Sequence, residues 1–186
     1  MSEQTKEDRA ADQARAQFES IRELVAALEC DYDRLEELKD ERADLVEAVE
    51  EAKAYEEDDP SPTRANKAIA ALEEWDAENG EELKELTEAA GDCEDQDEAR
   101  QRIEEDALSV EVRSDWTTPG EKMEAGEYCI LLCTGGPAAR IVGDLNGGEP
   151  CSARLEYQDW GVPWTEYVNC DRDTLLTYAR CFYFGE

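Results

Sequence analysis

Carboxylates are the side chains of this sequence that could do chemistry, and they are most concentrated between Asp31 and Asp59. This segment holds fourteen acidic and four basic residues, a net charge of −10. An α-helix rises 1.5 Å per residue, so the segment would extend about 43 Å and carry one net negative charge per roughly 4 Å. One strand of B-DNA carries one charge per about 3.4 Å. The run therefore predicts a surface comparable in charge density to a single phosphate strand.

The candidate partner-binding residues are the carboxylates of this run and three tryptophans near the C-terminus. Carboxylates four residues apart on a helix repel each other. A helix that needed only solubility would alternate the sign of its charges, so the run favours a role for the charge itself. A plain solvated face and adaptation to high salt are the alternatives. The tryptophans could form a recognition surface or could anchor loops to the core. The candidates are Asp31, Asp33, Glu36, Glu37, Asp40, Glu41, Asp44, Glu47, Glu50, Glu51, Trp116, Trp160 and Trp164.

Other kinds of site receive little support. The chain has no histidine, which removes the usual general base, the commonest metal ligand and the Ser–His and Cys–His nucleophile systems. Seven scattered cysteines form no CxxC pair, so no zinc site is expected. The segment "CTGGPAAR" (133–140) lacks the phosphate-binding G-x-x-x-x-G-K-[ST] pattern and is expected to be a hairpin turn. We expect no catalytic residue, no metal and no cofactor.

The net charge indicates the class of partner. Fifty acidic and nineteen basic residues give −31, which repels nucleic acids and anionic membranes and attracts basic surfaces. The expected partner is a basic nucleic-acid-binding protein or complex. The sequence contains neither a run of about 20 apolar residues nor the apolar core of a signal peptide. The predicted location is the cytoplasm, which is the host's cytoplasm if the protein is phage-encoded.

Composition changes near residue 108, where an acidic, glycine-poor region gives way to one that holds nine of the eleven glycines. The sequence predicts an α+β fold. Residues 1–107 would form a long acidic helical, coiled-coil-like region, and residues 108–186 a small antiparallel sheet packed with a C-terminal helix.

The N-terminal region is predicted to be helical because apolar residues recur every three or four positions. A long helix should run from about Glu7 to Tyr55, with Cys30–Asp31 as the place for a bend. Ser61 is the expected N-cap of a second helix, with Pro62 at its first position, and "ENGEEL" should separate it from a third that ends at Gly91. A fourth helix should turn Ala99 and Ile103 inward. The apolar seam comprises Phe18, Ile21, Val25, Leu28, Tyr32 and Leu35, which makes a homodimer through Ile21, Val25 and Leu28 an alternative.

The C-terminal region alternates strand and turn signals. Four segments are predicted to pair as an antiparallel meander of three or four strands: 108–114, 127–134, 138–145 and 153–160. The segment 171–184 is predicted to be a helix with Asp171 as its N-cap. Its inner face should contain Leu175, Leu176, Ala179, Phe182 and Tyr183.

Four C-terminal segments, "LSVEVRSDW", "ILLCTGGPAARIVGDL", "LEYQDWGVPWTEY" and "LLTYARCFYFGE", carry a family resemblance. They resemble a family of uncharacterised acidic proteins encoded in phage, prophage and bacterial accessory genomes. The resemblance implies a genomic context rather than an activity. In composition alone, the N-terminal region is similar to DNA mimics such as antirestriction and acidic anti-CRISPR proteins.

Three hypotheses of function follow. The first is a non-enzymatic, phage-type inhibitor of a bacterial nucleic-acid-targeting defence system, acting by DNA or RNA mimicry through acidic helices. The second is a coiled-coil structural or adaptor protein whose acidic residues only solvate it. The third is an enzyme of unrecognised type centred on the C-terminal region.

Overall fold

The computed structural model describes residues 3–56, 63–114 and 116–185, and these ranges form the predicted α+β fold. None of the described helices is long and apolar enough to cross a membrane. The helices are α1 (Glu3–Leu28), α2 (Tyr32–Glu56), α3 (Thr63–Ala90), α4 (Gln96–Asp106) and α5 (Arg172–Ala179). The strands are β1 (Ser109–Ser114), β2 (Ala125–Cys133), β3 (Ala138–Asn146), β4 (Glu149–Pro150), β5 (Arg154–Gln158) and β6 (Thr165–Glu166).

The strands form one antiparallel sheet in the order β1-β2-β3-β5-β6, with the two-residue β4 paired to β3. The four predicted strands correspond to β1, β2, β3 and β5. Ile130 lies opposite Ile141, and Ile141 lies opposite Leu155. All three side chains are fully buried, so the centre of one sheet face is a continuous apolar surface.

The described chain divides into two compact units. The first, called the sheet unit, contains α1 and the chain from Asp97 onward; the second, called the hairpin unit, is Glu29–Gln96. This division differs from the boundary expected between residues 107 and 108. The reason is that α1 packs with β5, α5 and β3 and so joins the C-terminal part of the chain.

The apolar seam of α1 is part of the core of the sheet unit. Phe18, Ile21, Val25 and Leu28 are all buried. The sequence pattern identified the apolar face of this helix correctly but assigned it to a coiled coil. Since its side chains are enclosed by the chain itself, the exposed surface that a homodimer through Ile21, Val25 and Leu28 requires is not present.

The predicted long helix is two helices, because the chain leaves helical geometry between Leu28 and Tyr32. Asp31 begins the second helix. Its carboxylate accepts a hydrogen bond from the backbone N–H of Arg34 at 3.0 Å, and its carbonyl accepts one from Leu35 at 3.0 Å. This is N-cap geometry, which satisfies backbone donors that have no partner within the helix. The bend expected at Cys30–Asp31 is therefore a complete break.

In the hairpin unit, α3 continues through the predicted break at "ENGEEL", so the second and third predicted helices are one. Gly80 lies inside this helix. A mid-helix glycine costs about 1 kcal/mol relative to alanine, and extensive packing of α3 against α2 outweighs that cost. The predicted caps at Ser61 and Pro62 lie outside the described residues. Gly91 ends α3 as predicted, with φ of 57° and its N–H bonded to the Thr87 carbonyl at 3.2 Å.

The two shorter helices belong to the sheet unit, apart from Gln96 at the start of α4. In α4, Ala99 and Ile103 are fully buried, as predicted. Helix α5 ends at Ala179 rather than 184, and Asp171 caps it by accepting the N–H of Thr174 at 2.8 Å. Leu175 and Ala179 are buried as predicted, but Tyr183 is exposed.

Tyr178, which the sequence did not place inward, fills the centre of the α5 face. Its ring is fully buried, and its hydroxyl donates to the Asp106 carboxylate at 2.6 Å. Burial, followed by this hydrogen bond, raises the pKa of Tyr178.

Replacement of Gly80 by alanine tests the continuity of α3. No atom lies within 4 Å of the position that a Cβ would take, and the backbone is not left-handed. We expect Gly80→Ala to increase the free energy of unfolding by about 1 kcal/mol, since alanine loses less conformational freedom in a helix. Urea unfolding followed by circular dichroism at 222 nm measures the change.

Gly91→Ala is the matched control, because Gly91 also has open space around it but adopts φ of 57°. We expect this variant to lose about 1 kcal/mol. A destabilising Gly80→Ala would show that the helix does not continue through residue 80.

Candidate protein-interaction surface

Six of the predicted carboxylates lie on one face of α2, here called the acidic face. An α-helix turns about 100° per residue, so these six positions fall within an arc of roughly 80°. The buried residues of α2 lie on the opposite side, at Leu35, Leu38 and Val49. All six acidic side chains are exposed. The acidic face consists of Asp33, Glu36, Asp40, Asp44, Glu47 and Glu51.

The basic residues of α2 lie away from the acidic face. On the same helical projection, Arg34, Lys39, Arg42 and Lys53 each lie about 60° or more beyond the nearest edge of the acidic face. Arg42 bonds to Asp76 of α3 at 2.8 Å. Within the described ranges, no Lys or Arg side chain forms an ion pair with any of the six carboxylates. The six carboxylates therefore stay without an ion-pair partner among the described residues.

The other four acidic candidates either form hydrogen bonds within the hairpin unit or point away from the acidic face. Asp31 caps α2. Glu37 accepts a hydrogen bond from Arg34 at 2.6 Å, and Glu41 accepts one from the Trp75 indole at 3.0 Å. Glu50 is exposed but points about 40° outside the arc of the acidic face on the helical projection. Only the role of Glu41 depends on a partner supplied by α3. The contacts of Asp31 and Glu37 lie within the start of α2, and the direction of Glu50 follows from helical spacing.

Arg34 connects the border of the acidic face to α3. It donates to Glu82 through Nε and Nη2, both at 3.1 Å, and to Glu37 through Nη1. The hydrogen bond with Glu82, then that with Glu37, raises the pKa of Arg34. The same contact lowers the pKa of Glu82. This arginine therefore stays charged and fixes the two helices to each other beside the face.

The charge density of the acidic face is lower than the sequence estimate for the whole run. The six carboxylates span Asp33 to Glu51, about 27 Å of helix, or one per roughly 5 Å. That is about two thirds of the density of one B-DNA strand. A second exposed row on α3 has a 4–3–4–3 spacing and lies on one side of that helix. It comprises Glu74, Glu78, Glu81, Glu85 and Glu88, of which Glu88 lies 3.8 Å from Lys84.

Trp164 contacts an arginine of the sheet unit. Its ring lies 4.0 Å from the guanidinium carbon of Arg140. Arg140 in turn donates two hydrogen bonds to Glu156, at 2.9 and 2.7 Å. Burial alone would raise the pKa of Glu156, but the hydrogen bonds from Arg140 and Arg154 hold it below its ordinary value. Trp164 thus anchors its loop to the polar face of the sheet.

Trp160 forms a hydrogen bond within the sheet unit, although 73% of its surface is exposed. Its indole donates to the Gly135 carbonyl at 2.7 Å, which fastens the loop after β5 to the turn between β2 and β3. That turn is the hairpin expected for "CTGGPAAR". Trp116 is fully exposed and lies just beyond β1. The contacts of Trp160 and Trp164 correspond to the second alternative from the sequence, in which tryptophans anchor loops.

A buried ion pair next to Trp160 was not foreseen from the sequence. The Asp159 side chain is 1% exposed and bonds to Arg9 of α1 at 2.8 Å. Its other oxygen accepts the backbone N–H of Trp160 at 2.7 Å. Since Arg9 and Asp159 are 150 positions apart, no local pattern could reveal the pair.

The described side chains include no group of three or more Cys, Asp or Glu residues arranged to hold a metal ion. Comparison with protein-family models, with curated proteins and with solved structures finds no match to this chain. The candidate site is the acidic face, on the ground that six exposed carboxylates lie together on one side of α2.

Repulsion within the acidic face should reduce the stability of the chain. Asp40 lies four residues from both Glu36 and Asp44, and Glu47 lies four residues from Glu51. Each such pair costs a few tenths of a kcal/mol. We expect the combined variant Glu36→Gln, Asp40→Asn, Asp44→Asn, Glu47→Gln and Glu51→Gln to raise stability by about 1 kcal/mol at low salt.

The gain should shrink in about 0.5 M NaCl, because salt screens exposed charges. Urea unfolding at two salt concentrations measures both effects. A loss of stability in low salt would mean that the carboxylates make favourable contacts, contrary to an unneutralised face.

Removal of Arg9 should take a cation away from the buried Asp159 carboxylate. We expect Arg9→Ala to lower the free energy of unfolding by about 2 kcal/mol, less than for a wholly buried pair because Arg9 is half-exposed. Arg15→Ala is the control, since its ion pair with Glu19 is exposed. It should change stability by no more than about 0.5 kcal/mol. Equal effects of the two variants would contradict a structural role for Asp159.

Proposed function

We propose that the chain is a non-enzymatic inhibitor that occupies the basic nucleic-acid channel of another protein through the acidic face of α2. The carboxylates take the positions of backbone phosphates and form charge-assisted contacts with lysine and arginine side chains. The resemblance of the C-terminal segments to phage and prophage proteins favours a bacterial nucleic-acid-targeting defence system as the target. Inhibition of this kind is anti-CRISPR or antirestriction activity.

The observation that carries the proposal is the separation of charge around α2. Acidic side chains occupy one face for about 27 Å, and the basic side chains of the helix lie elsewhere. A solvated helix gains nothing from this arrangement, because mixed signs give favourable i,i+4 pairs whereas like signs repel. A cationic channel, in contrast, gains from every unpaired carboxylate that it meets.

The hairpin unit supplies the rigidity that mimicry requires. Residues 29–96 contain 26 acidic and seven basic residues, a net charge of −19. Its two long helices are joined by apolar packing and by the bonds of Arg34 and Arg42 to α3. A fixed array of charge loses little conformational freedom on binding, which favours affinity.

Capture from a bacterial lysate tests the proposal when salt and charge are varied together. Tagged full-length chain should retain nucleic-acid-binding proteins in about 0.1 M NaCl and release them as salt rises toward 0.5 M. Added DNA or RNA should displace the same proteins, because both compete for one channel. Mass spectrometry identifies the proteins retained, and binding of each purified candidate is then measured by titration.

Two variants with the same change in net charge decide whether the acidic face, rather than the overall charge, binds the partner. The first is the combined five-residue variant of α2 described above. The second neutralises five exposed carboxylates of the sheet unit: Asp12, Glu23, Glu104, Glu124 and Glu149. Loss of about 1 kcal/mol of binding energy per contacted carboxylate would weaken the first variant by several orders of magnitude. The second should bind within about tenfold of the unchanged chain.

Equal binding by the two variants would show that net charge alone attracts the partner. Affinity that does not change with salt, or a partner that has no nucleic-acid-binding channel, would remove the proposal altogether.

A further inference from the structure

We propose that the exposed edge of β1 pairs with β1 of a second copy of this chain, in antiparallel register about a two-fold axis at Val112. The inference concerns the sheet unit and goes beyond the proposed function, which rests on the hairpin unit.

Large exposed apolar side chains are concentrated at this edge. Eight are found among the described residues, and five of them lie between positions 108 and 123. Single exposed apolar residues are ordinary on protein surfaces, but a contiguous patch marks an interaction site. The five are Leu108, Val110, Val112, Trp116 and Met123.

β1 is an outer strand whose far side has no partner among the described strands. Such an edge presents unpaired backbone N–H and C=O groups that can template another strand. The opposite edge ends in the two-residue β6, which is too short to pair extensively. β1, in contrast, has six residues and contains no proline.

The apolar face of β1 continues the buried face of the sheet. Val110 lies opposite Ile130, and Val112 lies opposite Tyr128. Ile130 and Tyr128 are buried, whereas Val110 and Val112 are 37% and 49% exposed. The layer that covers this face of the sheet therefore ends before β1. A strand added at the edge would extend the same apolar face.

Charge complementarity selects a second copy as the added strand. With the two-fold axis at Val112, Glu111 of each copy lies opposite Arg113 of the other, and Val112 lies opposite itself. A register centred on Glu111 or on Arg113 would place like charges opposite each other, which is unfavourable.

Arg113 remains compatible with this pairing. It already contacts Glu127 on the neighbouring β2. Both groups are exposed, and 75% of the Arg113 side chain remains accessible. Its guanidinium has five N–H donors, so it can serve Glu127 and the Glu111 of a second copy together.

The dimer should become tighter as salt increases. Each copy carries a net charge of −31, and this long-range repulsion opposes association until salt screens it. Binding through the acidic face has the opposite salt dependence. A single series of salt concentrations therefore distinguishes association through the β1 edge from binding through the acidic face.

Sedimentation equilibrium of the full-length chain, up to about 0.5 mM and in about 0.05 to 0.5 M NaCl, measures the association. A pair of six-residue strands buries a small interface, so we expect a dissociation constant in the micromolar range or weaker. Glu111→Arg and Arg113→Glu should each weaken the dimer about tenfold or more, since each places like charges opposite each other twice. The double variant restores opposite charges and should return to within about threefold.

Two further variants test the position of the two-fold axis and the role of the Arg113–Glu127 contact. Val112→Lys places two ammonium groups at the axis and should abolish the dimer. Glu127→Gln removes the same intrachain contact as Arg113→Glu but leaves the edge unchanged, so its association should match that of the unaltered chain. Circular dichroism confirms that each variant is folded.

A chain that stays monomeric throughout these conditions would overturn the proposal. So would a dimer that tolerates Val112→Lys, or one in which the double swap fails to recover. A monomer whose β1 edge binds an unrelated peptide strand would also overturn it, by assigning the edge to a different occupant.

Discussion

Separation of charge around α2 is the constraint on which the account of this protein depends. The apolar and basic residues of the helix face inward or sideways, where Arg34 and Arg42 bond to acidic residues of α3. The acidic face is left exposed without a cation in the described part of the chain. Because α2 and α3 are held together by packing and by these arginines, the repulsion within the face can be tolerated.

The acidic face and the core of the sheet belong to different units of the chain. The sheet unit has its own core, in which α1 covers the sheet and Ile130, Ile141 and Leu155 form the centre. Its polar contacts are mostly neutralising, as in the bonds of Arg140 to Glu156 and of Arg9 to Asp159. The hairpin unit holds most of the excess charge.

Much of this structure could be predicted from the sequence, for physical reasons that differ between elements. The strands and the inward residues of α4 follow from alternation and helical spacing, which depend on local geometry. The N-cap at Asp171 and the C-terminal glycine at Gly91 follow from the chemistry of helix ends. The acidic face itself was visible as a charge run, although its exact members were not.

The errors arose where tertiary contacts outweigh local preference. The stripe of Ile21 and Val25 indicates an amphipathic helix, but a sheet and a partner helix satisfy such a stripe equally well. Gly80 disfavours helix by only about 1 kcal/mol, which packing along α3 exceeds. The Arg9–Asp159 pair and the inward position of Tyr178 depend on residues far apart in the chain. No spacing rule could supply them.

Carboxylate footprinting tests the central claim most directly. The full-length chain is labelled with a carbodiimide and an amine, alone and bound to a purified partner, and the modified residues are quantified by mass spectrometry. The account requires that Asp33, Glu36, Asp40, Asp44, Glu47 and Glu51 lose reactivity in the complex while exposed carboxylates of the sheet unit keep theirs. Protection confined to the sheet unit, with the six carboxylates as reactive as before, would contradict it.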